Sequence, residues 1–332
     1  MAKATRGAVM EAAMQASLGL DTSCYTTSVA LVSGDDLVFD GRIPLRVPDG
    51  ACGLRQSDAL FQHVRNLPAL IGEAFGAARE GGFEVSNVAA SAWPRRAEGS
   101  YMPVFMASAG YGRSIASALS ARCVEVSHQE GHIAAASWSA GMDQNGGFLA
   151  LHLSGGTTEL LSVHGVFESD LIGGTEDLNA GQFVDRVGVA LGIPFPAGPG
   201  LEAMARGCPG GALRLPVAVR GLSVSFSGPC SAALRSVQAG ARTEDIALAV
   251  FDCIGRSMSS LCAAGLMHTG ANCVLAAGGV ASNSIVREIM TTSIGSLVPG
   301  AQVRFAEPAY SGDNAVGAAL LGQEVRHFYA CQ

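Results

Sequence analysis

The chain carries little charge: Asp, Glu, Lys and Arg make up only 15% of its 332 residues, against 48% hydrophobic residues. That is not the composition of a disordered polymer. Positive charge is not in excess either. The net charge of −7 argues against a broadly basic nucleic-acid-binding surface, though it leaves room for a local patch or a partner that brings cations. Paired cysteines are missing. Cys24, Cys52, Cys123, Cys208, Cys230, Cys253, Cys262, Cys273 and Cys331 are scattered, odd in number and free of C-x-x-C spacing. They read as small buried thiols of a reducing compartment, not as a disulfide framework or a zinc knuckle. The opening MAKATRGAVMEAAMQA has no secretory hydrophobic core, and no apolar run is both long and clean enough to span a membrane. A cytoplasmic location without a membrane partner is the expectation.

The chain is long enough to bury a real core as one bilobal unit or two domains. Its 43 glycines suggest many tight turns and close backbone approaches. The pattern predicts short strands over 17–20 and 28–32, and a helix over 55–78 with Leu60, Phe61, Val64, Leu67 and Ile71 on its apolar face. Further strands are expected over 85–90, 123–126, 148–153, 159–163, 273–277 and 302–305. Helices are expected over 103–121, 128–140, 175–191, 200–205, 245–267, from 284, and over 312–326, with 206–224 less regular. Strands alternating with helices imply sheets covered by helices.

Two segments share a plan. LGLDTSCYTTSVALV and LALHLSGGTTELLSV each run from an apolar strand through a turn of small and hydroxyl residues into a second apolar strand. Such hairpins half a chain apart suggest either a duplicated fold with two facing lobes or two ordinary hairpins. Turns of this kind can aim backbone N–H groups at phosphate oxygens.

The chemistry centres on His128-Gln129-Glu130-Gly131-His132. Residues four apart share a helix face, so both imidazoles can reach one ion, Zn²⁺ or Fe²⁺. The alternative is a pair of partly exposed histidines at a helix start. His152 ends an apolar strand where a bare core would hold Val or Leu, and Asp313 sits in SGDN just before the last helix. Either could be structural, as a satisfied core histidine and a helix N-cap. Together with the pair they would complete a mixed N/O site. Glycine-rich turns at Ser154–Gly156, Pro196–Gly200 and Ala277–Gly279, with Asp185, Glu202 and Asn283 close by, suggest a cleft for a ribose and phosphates. No protease metal motif or nucleophile triad is visible.

The segments LGLDTSC, HQEGH, LHLSGGTTEL, GQFVDRVGVALGIPFPAGPGLEAMA, VSFSG, AAGGVASN and SGDNA run from about Leu18 to Ala315. In that order they resemble the TsaD family, the bacterial tRNA N6-adenosine threonylcarbamoyltransferases, of the actin/Hsp70/sugar-kinase superfamily. The resemblance implies an α/β duplicated two-lobed fold of that superfamily with a central cleft. It implies an N-terminal extension over 1–16, an N-terminal lobe over 17–146 and a C-terminal lobe over 147–332, the last helix returning toward the first lobe. One divalent metal ion, Fe or Zn, would be held by His128, His132 and Asp313, with His152 where some members carry a nearby Tyr. Ser154, Gly155, Gly156, Asp185, Gly198, Glu202 and Asn283 fall on nucleotide-binding positions.

The implied reaction moves a threonylcarbamoyl group from threonylcarbamoyl-AMP, or another adenine nucleotide, to N6 of the adenosine beside the anticodon of tRNA. No catalytic side chain is assigned. A dimerising paralogue and a small ATPase are the implied partners. The sequence departs from the family at Tyr25 and Thr26, where acidic residues are usual, at Thr157 and Glu159 after the SGG turn, at Cys230, where Lys is usual, and in the loop WPRRAEGSY. These departures imply two further readings: carbamoyl transfer to a different acceptor, or a non-catalytic nucleotide-binding paralogue that scaffolds the modification complex.

Overall fold

In the computed structural model, the described residues are 13–23, 25–47, 54–143, 146–211 and 213–324. Cys24, Cys52, Cys331 and the end of the predicted last helix lie outside them, as does most of the predicted extension. The chain divides into two compact units, one formed by 1–131 with 313–332, the other by 132–312.

The first unit is built on five strands: β1 (Met14–Asp21), β2 (Thr26–Ser33), β3 (Asp36–Pro44), β4 (Phe83–Trp93) and β5 (Arg122–Ser127). Their order is β3-β2-β1-β4-β5. The β1, β2 and β3 strands run antiparallel, and β4 and β5 continue the sheet parallel to β1. The central strand β1 is buried from Ala16 to Asp21, which explains its unbroken run of apolar and small residues. Helix α1 (Gln56–Gly81) packs on β2 and β3, and α2 (Phe105–Leu119) on β4. The buried face of α1 carries Ala59, His63, Leu67, Leu70, Ala74 and Ala78. This corrects the predicted face: Phe61 and Val64 are 62% and 41% exposed, while a histidine points inward. Helix α9 (Val316–Glu324) is rich in small residues because it lies against β1 and β4.

The second unit repeats the plan. Its strands are β6 (Phe148–Leu153), β7 (Thr158–Gly165), β8 (Glu168–Thr175), β9 (Val219–Arg220), β10 (Ser223–Val224), β11 (Cys273–Ala277) and β12 (Gln302–Phe305). They are ordered β12-β11-β6-β7-β8-β10-β9. Again three consecutive strands form an antiparallel meander, and two later strands extend it parallel to the first. The sequence reading missed β3 and β8, the third strand of each meander. Neither is buried to the depth of its neighbours, so their apolar pattern is weak.

Helices α4 (Ala180–Ala190), α5 (Gly198–Arg206), α6 (Ser227–Gln238), α7 (Thr243–Thr269) and α8 (Ser284–Leu297) complete this unit. The predicted helix over 175–191 is shorter at its start, because residues up to Thr175 belong to β8. Among the described residues α7 alone is long and apolar enough to cross a membrane, but 78% of its most apolar window is buried. It is the core helix, and its Phe251 shares a cluster with Phe183, Phe226 and Met290. The six described cysteines are free thiols, as their spacing suggested.

Candidate metal centre and nucleotide loops

Both histidines of HQEGH lie on the first turn of α3 (His128–Ser139), which directly follows β5. The sequence S-H-Q-E starts that helix with a capping box. Glu130 N–H donates to Ser127 Oγ at 3.1 Å, and Ser127 N–H donates to Glu130 Oε2 at 2.7 Å. Arg96, from the WPRRAEGSY loop, donates to the same carboxylate at 2.5 Å, and Gln129 N–H donates to Pro94 O at 3.1 Å. The WPRRAEGSY loop thus braces the start of the helix that carries both histidines. Glu130 is committed to this cap, and the S-x-x-E signal for it was legible in the sequence. Gly317 of α9 has a packing reason: a Cβ there would overlap the carbonyl of Gly131, so α9 meets α3 at a position where only glycine fits.

The turn after β1 turns its side chains inward. Asp21, Thr22 and Ser23 are fully buried. Thr22 Oγ1 donates to Val104 O at 2.8 Å and meets Ser108 Oγ at 2.8 Å, which fixes the entry of α2. Ser23 Oγ donates to Asp21 Oδ2 at 2.8 Å. The same Oδ2 lies 3.1 Å from His128 Nδ1, and His128 Nε2 lies 3.5 Å from Asp313 Oδ1. Burial alone would lower the pKa of His128, but the charges and hydrogen bonds of Asp21 and Asp313 reverse this and hold it well above its ordinary value. A carboxylate on Nδ1 fixes the ring and leaves Nε2 as the ligand nitrogen, the usual outer-shell arrangement of metal-bound histidine. Asn314 Oδ1 caps the start of the last helix, accepting from Val316 N–H at 3.0 Å.

The boundary between the units falls within α3, after Gly131, so one helix carries both histidines. His128, His132 and Asp313 offer ligand atoms within 4.8 Å of one another, a set suited to a metal ion. Bonds of about 2.0–2.2 Å place two donors roughly 3–4 Å apart, so the three would close by about 1 Å onto an ion. Two imidazoles and a carboxylate suit a borderline divalent cation. His152 stands beside His132. It sits on β6 opposite Glu159 of β7, with its ring centroid 5.4 Å from that of His132.

The other candidate residues lie on loops of the second unit. Ser154 N–H donates to Thr157 O at 2.8 Å, closing the SGG turn, while Gly155 and Gly156 are exposed. Leu153 O, at the end of β6, accepts from Val280 N–H at 3.1 Å. Gly278, at φ 104°, is packed so closely on that carbonyl that no side chain fits there. Asp185 of α4 accepts from Ala197 N–H at 2.8 Å and so anchors the loop that leads into Gly198. Glu202 accepts from Ser284 Oγ at 2.7 Å and from Arg206 at 2.8 Å. Burial opposes this, yet these hydrogen bonds hold the Glu202 carboxyl below its usual pKa. Asn283 caps α8, its Oδ1 accepting from Ile285 and Val286 N–H at 3.0 Å. Asp185, Glu202 and Asn283 are therefore loop anchors first.

Sequence reasoning missed Asp177, which accepts from Leu178 N–H, Ser225 Oγ and Phe226 N–H and ties the VSFSG segment down. It also missed His63. Cys230 is buried in the hydrophobic core, so no cation stands at that position.

The family model for TsaD, tRNA N6-adenosine threonylcarbamoyltransferase, matches residues 53–320. The chain is 32% identical over 314 residues to the tRNA N6-adenosine threonylcarbamoyltransferase of Aromatoleum aromaticum, covering 92% of this chain and 90% of that one. It is 30% identical over 313 residues to a probable bifunctional tRNA threonylcarbamoyladenosine biosynthesis protein of Methanothermobacter thermautotrophicus. The match covers 93% of this chain but only 55% of that longer relative.

Among solved structures, HypF of T. kodakarensis superposes with a TM-score of 0.63 at 14% identity, over 94% of this chain and 47% of that one. An activator of 2-hydroxyisocaproyl-CoA dehydratase from Clostridium difficile gives 0.52 at 18% identity, over 95% and 100%. At these identities the structural likeness shows the fold alone. It is the duplicated actin-like α/β fold that the sequence implied.

Proposed function

The chain belongs to the tRNA N6-adenosine threonylcarbamoyltransferase family, a family of transferase enzymes, and on that premise we propose that it transfers a threonylcarbamoyl group from threonylcarbamoyl-AMP to N6 of the adenosine beside the anticodon in tRNA. The observation that carries this reading is the convergence of His128, His132 and Asp313. These three residues would hold one divalent ion, iron or zinc. When bound, it supplies a Lewis acid that polarises the acyl carbonyl and neutralises developing charge. Asp21 orients His128, and the Ser127–Glu130 box with Arg96 orients the helix. Gly155, Gly156 and Gly198 offer the backbone to the nucleotide, on a turn that Ser154 closes. Asp185, Glu202 and Asn283 shape the loops that retain AMP as it leaves.

The test is direct. Metal-loaded protein, threonylcarbamoyl-AMP, unmodified tRNA and the implied partners, a dimerising paralogue and a small ATPase, should yield threonylcarbamoyladenosine on nucleoside mass spectrometry. A mixture that stays inert overturns the reading.

Buried, uncharged Cys230 favours a second reading, carbamoyl transfer to a different acceptor. In that case a deletion strain would keep its normal level of threonylcarbamoyladenosine.

A further inference from the structure

We propose that a groove beside the SGG turn is the acceptor subsite, and that it takes a small amine that also carries a hydroxyl. The proposal rests on the second reading above, transfer to an acceptor other than tRNA. The groove measures about 480 Å³, within the range of small-molecule sites, and lies wholly in the second unit. Gly156 and Thr157 line it from the turn, Glu159 from β7, Leu171 from β8, Glu176 from just beyond β8, and Leu222 from the turn between β9 and β10.

Glycine keeps the groove open. Gly173 packs on the Leu222 carbonyl and Gly174 on the Thr158 carbonyl, so closely that a Cβ on either would overlap it. Strand register puts Gly174 opposite Glu159, where a larger residue would set its side chain beside the carboxylate. On its other side Glu159 stands opposite His152 of β6, so those two side chains share a face of the sheet. The His152 ring centroid is 5.4 Å from that of His132. The groove thus opens one strand away from the neighbour of a candidate metal ligand, with the proposed nucleotide turn at its rim. That is a place suited to an acyl acceptor.

The lining sets the chemical class. It holds two carboxylates, Glu159 and Glu176, and no Lys, Arg or His. A phosphate would meet negative charge with no cation to offset it. An ammonium group would meet two carboxylates that accept charge-assisted hydrogen bonds. Leu171, 54% exposed, and Leu222 offer apolar contact to a carbon skeleton. An amine held as ammonium has no electron pair to give, so a hydroxyl of the same molecule takes the carbamoyl group. Its oxygen bonds to the carbamoyl carbon. The bond from that carbon to the phosphate oxygen of AMP breaks, its electron pair stays with AMP, and the hydroxyl proton passes to water.

Calorimetry on the metal-loaded full chain at neutral pH tests this with glucosamine, glucose and glucose 6-phosphate. These probes offer an ammonium, a neutral hydroxyl and a phosphate on similar skeletons. Glucosamine should bind at least about tenfold more tightly than glucose, and glucose 6-phosphate most weakly. Replacing both carboxylates, Glu159→Gln with Glu176→Gln, should bring glucosamine down to the level of glucose. Leu171→Trp, which fills the groove from an exposed position, should weaken both sugars by about tenfold. Retained AMP binding shows that each variant is folded.

Glucosamine bound no more tightly than glucose, or glucose 6-phosphate bound best, overturns the proposal. So does tight glucosamine binding that neither variant alters. The deletion strain decides the second reading separately. If it lacks threonylcarbamoyladenosine while glucosamine binds as expected, that reading fails and the acceptor role falls with it. If it keeps threonylcarbamoyladenosine but glucosamine is not selected, only the groove assignment fails.

Discussion

The two hairpin turns, after β1 and after β6, begin from the same plan and end in opposite uses. After β1 the turn residues Asp21, Thr22 and Ser23 are fully buried and spend their polar atoms on α2, on one another and on His128. After β6 the turn residues Gly155 and Gly156 are exposed and carry no side chain at all. One copy has become an internal brace for the helix that carries His128 and His132, while the other has kept its backbone open. A duplicated fold can hold two kinds of ligand because side chains specify a cation, whereas bare amides suit a phosphate.

Removing donors should separate the turns most sharply. Asp313→Ala or His128→Ala should lower metal content at least about 100-fold, read by metal analysis after dialysis. Asp21→Asn, which touches only the outer nitrogen of His128, should cost about 10–100-fold. No change in Asp21→Asn would deny the first turn its bracing role. Gly317→Val should come next, costing about 1–3 kcal/mol in urea unfolding, because the added carbons meet the Gly131 carbonyl across the helix crossing. Gly156→Val should behave oppositely. A Cβ there meets nothing within 4 Å, so stability should hold while AMP affinity drops about tenfold in calorimetry. If Gly156→Val binds AMP normally, the second turn is not the open one.

Much of this was legible in the sequence. The duplicated hairpins were visible because β1, β2, β6 and β7 are buried strands with continuous apolar runs. The pair His128 and His132 was visible from helical spacing, and Asp313 from its place in SGDN. The third meander strands were not, since β3 and β8 are half-exposed and carry mixed residues. Nor was the role of Asp185, Glu202 and Asn283 as anchors, which depends on backbone partners far along the chain. His63 was hidden for a different reason. Periodicity searches follow apolar residues, so Phe61 and Val64 drew the helix face toward themselves, although both point to solvent. A polar residue on a buried face is something that an apolar pattern passes over.

Near neutral pH the smallest expected effect belongs to that residue. The folded pKa of His63, about 4, lies below the value of about 6.5 expected for the unfolded chain. Between these values the unfolded chain takes up the proton and the folded ring does not. Stability is therefore present above pH 6.5, declines as pH falls toward 4, and changes no further below that, where both states are protonated. The loss from pH 7 to pH 6 should be about 0.7 kcal/mol, rising to about 3 kcal/mol by pH 4 as an upper bound. His128 works in the opposite sense: its folded pKa is raised, so its contribution is lost as pH rises. The wild-type pH profile mixes the two. Urea unfolding of His63→Gln beside wild type in the same buffers removes the His63 share and leaves that of His128, so the difference should shrink toward acid. A difference that is flat from pH 7 to pH 5 would mean that His63 is protonated in the folded protein, at odds with its burial.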